Sequence, residues 1–180
     1  MNIIIVTLLP IIFMIHEFEE ILFLKYWVNK DKNYLHNKFP KIGPKIFLQY
    51  SKFTIAGLVL AISEEFVVIS LLTYIAIIMH NYYIWFSVFM GFSIHLIIHI
   101  IGGLFYKKYC FGFVTSILVL PYCIYGFFEY INNETYKVIW IIIGPIIAIV
   151  GFLINLKFVM HYFGEKFSIW ETEEIIKTAN

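Results

Sequence analysis

Arginine is absent: all 13 basic residues are Lys, a bias that reads as a property of the coding sequence rather than of chemistry. Charge of either sign is scarce, at 14% of residues against about 25% in ordinary globular domains. The formal net charge of +1 gives no electrostatic reason to expect nucleic acid as a partner. Cysteine is nearly missing. Cys110 and Cys123 are 13 residues apart, which supports neither a metal pair nor a disulfide, so both read as packing residues. No Lys precedes the first apolar run and no small-x-small site follows it, so that run reads as a span and not as a cleaved signal. Internal repeats and low-complexity segments are lacking too.

Apolar residues are what the chain has, at 61%. A hydrocarbon core about 30 Å thick takes roughly 20 apolar residues of helix, and five runs reach that length: 3–24, 53–79, 84–105, 111–131 and 138–160. The expectation is an all-α, polytopic helix bundle forming a single membrane domain over 1–180, with a short interfacial tail helix at 168–177. Ser168 and Glu171 open that tail with a capping-box pattern. The lysines set the orientation. Lys25, Lys30, Lys32, Lys38, Lys41, Lys45 and Lys52 crowd the first connection, Lys107 and Lys108 the third, and Lys157, Lys166 and Lys177 the end of the chain. In a five-span arrangement all except Lys137 share one side, which the positive-inside rule makes cytoplasmic. The N-terminus is expected outside, the C-terminus inside, and the protein multi-pass in a cell membrane.

Ionisable residues inside spans cost roughly 2.5–3.5 kcal/mol each on insertion scales and usually face the bundle interior. Here they are frequent: His16, Glu17, Glu19 and Glu20 in the first run, Glu64 and Glu65 in the second, His95 and His99 in the third. His16 shares a helical face with Glu19 and Glu20, and His95 shares one with His99. Glu17, about 100° round from His16, is expected to meet a neighbouring helix or headgroups. At 1.5 Å rise per residue, His16, Glu64, His95, His99 and Asn155 all fall about 7–16 Å from the cytoplasmic end of their spans. That layer is the functional signal. Its imidazoles and carboxylates are the donor set for Zn, Mn or Fe, with His16, Glu20, Glu64, Glu65, His95 and His99 as candidate metal ligands. An ion would neutralise carboxylates that lipid cannot solvate. Glu19 is the candidate general base on water, and Asn155 a supporting polar group. His36 and His80 read as solvated loop residues and His161 as an interface residue.

The stretch "HEFEE" at His16–Glu20, followed by "EEF" at Glu64–Phe66, "HLIIH" at His95–His99 and "KKYCFGFVT" ending at Thr115, resembles the HXXEE family of bacterial membrane proteins. That resemblance implies a cytoplasmic-membrane location and adds Thr115 as a supporting residue. It points to His16, Glu19 and Glu20, and more weakly to Glu65, His95 and His99, while implying no activity. A looser parallel joins these residues to the intramembrane CAAX-type proteases, although Leu24 and Ile69 stand where those place Arg. The resulting expectation is a metal-dependent, hydrolase-like membrane enzyme acting on a membrane lipid or a lipidated or apolar substrate. The alternative is a non-enzymatic protein that binds or relays a proton or metal ion.

Overall fold

A computed structural model describes residues 1–132 and 139–179. Lys137, the exception to the lysine pattern, lies outside them. The described residues hold helices and no strand: α1 (Ile3–Lys30), α2 (Lys32–Lys38), α3 (Gly43–Ser51), α4 (Ile55–Ile78), α5 (Tyr82–Tyr106), α6 (Phe113–Ile131), α7 (Ile139–Val159), a π-helical turn (Met160–Lys166) and α8 (Phe167–Ala179). Four helices, α4, α5, α6 and the one beginning at Ile139, are long and apolar enough to cross a membrane, and the chain is a membrane-type helical bundle. With 28 residues α1 has the length as well, but Glu17, Glu19 and Glu20 interrupt it. All three carboxylates are buried, whereas Ile11, Ile15, Phe18 and Leu22 are exposed. Polar groups inside and apolar groups outside is the pattern lipid demands.

Pro10 lies inside α1. It has no N–H to give the carbonyl of Val6, one turn back. The buried indole of Trp85 on α5 donates to that carbonyl instead, at 3.2 Å. Tyr122 on α6 donates to the neighbouring carbonyl of Ile5 at 2.8 Å. The Trp85 indole thus satisfies a backbone group that bare lipid would leave unpaired, and Tyr122 adds a second tie to the same turn. Nearby, Phe86 and Tyr130 stack with ring centroids 3.6 Å apart, and Phe89 lies over Gly126, where an added Cβ would come within 2.8 Å of its ring. Close contact of this kind holds helices together where lipid weakens the hydrophobic drive between them.

The lysine-rich connection folds into α2 and α3, and α3 packs back on α1. Lys25 ends α3 by donating to the carbonyls of Tyr50 and Ser51. The tail departs from the expectation of a separate capped helix. Ser168 and Glu171 do not start a new helix, because the chain continues helically from α7 through the π-helical turn into α8. They serve α4 instead: Thr54 donates its N–H to Ser168 Oγ at 2.9 Å and its hydroxyl to Glu171 Oε2 at 2.6 Å. Gly57 makes this crossing possible, since a Cβ there would collide with Ser168 and the Gly164 carbonyl.

Candidate metal centre

Helices α1, α5 and α6 build the site. Pairs one turn apart, His16 with Glu20 on α1 and His95 with His99 on α5, face each other. One ligand atom from each of these four residues lies within 4.8 Å of all the others. The His16 and His95 Nε2 atoms are 3.1 Å apart. Glu20 Oε1 is 3.6 Å from His16 Nε2, 3.6 Å from His95 Nε2 and 2.7 Å from His99 Nε2. His16 is completely buried.

The outer nitrogens fix which lone pairs point inward. Thr115 donates its hydroxyl to Glu19 Oε2 at 2.5 Å. That oxygen has one hydrogen, so towards His16 Nδ1, 3.0 Å away, it accepts. His16 therefore carries its proton on Nδ1 and turns a bare Nε2 inward. His99 Nδ1 lies 3.1 Å from the Phe111 carbonyl, which can only accept, so a neutral His99 is held the same way. Locking the outer nitrogen with a carbonyl or a carboxylate relay is how proteins orient imidazole ligands. Gly112 makes room for the ring of His99: its φ is +74°, and a Cβ there would lie 2.5 Å from Nδ1.

Glu20 Oε1 is buried among three imidazoles, 2.7 Å from His99 Nε2, and with His16 and His99 neutral it faces bare nitrogens in place of donors. A buried carboxylate oxygen left this way is costly. A cation among the four groups would remove the cost. The spacing fits one: ligands about 2.0–2.1 Å from a tetrahedral ion lie roughly 3.3 Å from one another. The set of imidazoles and one carboxylate suits Zn, Mn or Fe. The residues present could hold a metal ion.

The remaining candidates lie elsewhere. Glu19, expected as a free base, has both oxygens engaged: Thr115 donates its N–H at 2.7 Å and its hydroxyl to Oε2, while Tyr109 (2.8 Å) and Val114 N–H (3.3 Å) donate to Oε1. It sits at the N-terminus of α6, where the orphan N–H groups and the helix dipole favour an anion. Burial and then the bond to Glu19 hold the Tyr109 phenol above its ordinary range, so it stays a donor. Glu19 thus positions His16 through Thr115. Glu64 accepts from Asn155 at 3.1 Å, and neither residue is in the group of four. Glu65 is outside that group as well and lines a cavity of about 600 Å³ beside it, together with Glu17 and His95.

Glu17 is the residue that sequence reasoning passed over. It is buried, with Oε1 3.8 Å from His95 Nε2. The signal was there: Phe13, Glu17, Glu20 and Leu24 follow the spacing of the buried stripe of α1. Cys110 offers no thiolate, since burial, followed by the charges of Glu20 and Glu19, pushes its thiol up to about 12.

The family described as proteins of unknown function with an HXXEE motif matches over residues 7–126. The match covers more than half of the chain, and the chain belongs to that family. No curated protein and no solved structure matches.

Proposed function

We propose that this HXXEE-family protein is a metal-dependent hydrolase-like enzyme of the membrane, with His16, Glu20, His95 and His99 holding one divalent transition-metal ion. The observation that carries the reading is the buried Glu20 Oε1 amid three imidazoles, two of which, when neutral, are locked with bare nitrogens inward. The ion would supply Lewis acidity towards an acyl carbonyl. In this reading the motif divides its work: His16 and Glu20 are ligands, and Glu19 positions His16.

Glu17 takes the role of general base. It borders both the four-residue group and the cavity, and 3.8 Å to His95 leaves space for a single bridging water nearby. Glu17 takes a proton from the attacking water while the water oxygen bonds to the acyl carbon. The acyl–oxygen bond then breaks, and the proton passes from Glu17 to the departing alkoxide. The products are an acid and an alcohol, and no redox partner is needed. Glu65, on the same cavity wall, is placed to hold the substrate's hydroxyl groups.

One contact favours a second reading. At 2.7 Å, His99 Nε2 and Glu20 Oε1 also suit an imidazolium–carboxylate pair, as in a protein that relays a proton. Elemental analysis of detergent-purified protein from metal-replete medium separates the two. The enzyme reading expects about one ion per chain, lost in His95→Ala and retained in Glu17→Gln. Wild type without stoichiometric metal would sink it in favour of the relay.

A further inference from the structure

The cavity beside the four-residue group has two unlike ends. Towards one, Glu17, Glu65, His95 and Asn155 line it; towards the other, Asn81, Tyr83 and Trp140. The wall between is apolar, with Leu72, Val88, Ile147 and Phe152 among its side chains. Along α5, twelve residues separate Tyr83 from His95, about 18 Å of helix rise. An extended alkyl chain advances roughly 1.25 Å per carbon, so the apolar stretch matches a chain of about 14 carbons. The volume of about 600 Å³ lies within the range of sites that enclose small molecules.

The wall also has a way in. Helix α7 packs along α5, and α4 packs on α1, α5 and the π-helical turn, with no comparable packing between α4 and α7 among the described residues. Those two helices are joined by Asn155 and Glu64, at the polar end of the cavity. Leu71 and Ile75 on α4 and Ile146 on α7 are exposed, so both helices that border this opening present apolar side chains to lipid. The polar end selects the head. Its two carboxyl groups and an amide offer partners to hydroxyls, and no Lys among the described residues lines the cavity to hold an anionic head, so a fatty acid fits poorly and a neutral polyol ester fits well.

From these features we infer that the cavity binds one chain of a neutral single-chain lipid ester, a monoacylglycerol of about 14 carbons, entering between α4 and α7 with its ester at Glu17 and His95. The identity of the ester rests on the hydrolase reading; chain binding does not. Trp140 should then sit beside the chain's free end. The probe is 1-myristoylglycerol brominated on its last two carbons, titrated into the full-length protein in detergent with and without chelator, with tryptophan emission as the readout.

Saturable quenching is expected, absent in Trp140→Phe, and displaced at least tenfold better by the unbrominated fourteen-carbon ester than by myristate or by the eight-carbon ester. Gly151→Phe should weaken binding at least tenfold. A Cβ at Gly151 meets nothing within 4 Å, so the larger side chain fills the cavity without a backbone clash. Leu72→Phe, on the opposite wall, gives the same test should Gly151→Phe lower the unfolding midpoint. Non-saturable quenching, or binding unchanged in both filled variants, overturns the proposal. Saturable quenching without metal or hydrolysis would leave the chain site standing and remove the hydrolase reading. Hydrolysis without saturable quenching would do the reverse.

Discussion

Replacing Thr115 with Val is the sharpest perturbation of the centre, because it alters no proposed ligand and little shape. The hydroxyl accepts from His16 Nδ1 at 3.0 Å and donates to Glu19 at 2.5 Å. Glu19 keeps three donors, from Thr115 N, Tyr109 and Val114, so its loss is small. His16, completely buried, is left with an N–H and no acceptor, at a cost of about 1–3 kcal/mol. Neutral imidazole can escape part of that cost by moving its proton to Nε2, but then the lone pair facing Glu20 and His95 is gone. Loss of an outer partner of this sort lowers metal affinity about 10–100-fold, or roughly 1.4–2.7 kcal/mol. Zinc affinity by competition with a chelating dye, and apo-protein stability by thermal unfolding, should both fall in Thr115→Val and both recover in Thr115→Ser. Zinc affinity within twofold of wild type in Thr115→Val, alongside reduced apo stability, would refute the argument: His16 would be a packing histidine and not a ligand.

Gly112→Ala should act on the same centre from the other side. The left-handed backbone costs about 1–2 kcal/mol with a Cβ, and that Cβ presses on the His99 ring, so unfolding and metal content should both report the change. Metal removal should destabilise wild type by about 2.7 kcal/mol where free metal had stood at a hundredfold its Kd, and should leave His95→Ala unmoved; equal shifts in the two proteins would place the ion elsewhere. For topology, reporters fused after Lys38 and after His80 should read cytoplasmic and external respectively. The opposite pair of signals would invert the orientation drawn from the lysines.

The division of labour around Glu17 and Glu19 shows where sequence reading stops. Helical spacing correctly put His16 with Glu20 and His95 with His99, because residues one turn apart share a face whatever the helix packs against. It could not say which neighbouring helix each face meets. Glu19 shares that face on α1, yet the N-terminus of α6 approaches it and claims both oxygens. Glu17 was set aside for its angle from His16, yet the buried stripe of α1 is wide enough to include both.

What the sequence determined by itself was the membrane-type helical bundle, its charge asymmetry and the set of ionisable residues that had to face inward. These follow from local length, period and the cost of charge in lipid. Only the tertiary structure decided that four of those residues converge, that Thr115 and the Phe111 carbonyl set the tautomers of His16 and His99, and that Ser168 and Glu171 serve a different helix from their own. Each of those decisions joins groups far apart in the chain, and no spacing rule reaches beyond its own helix.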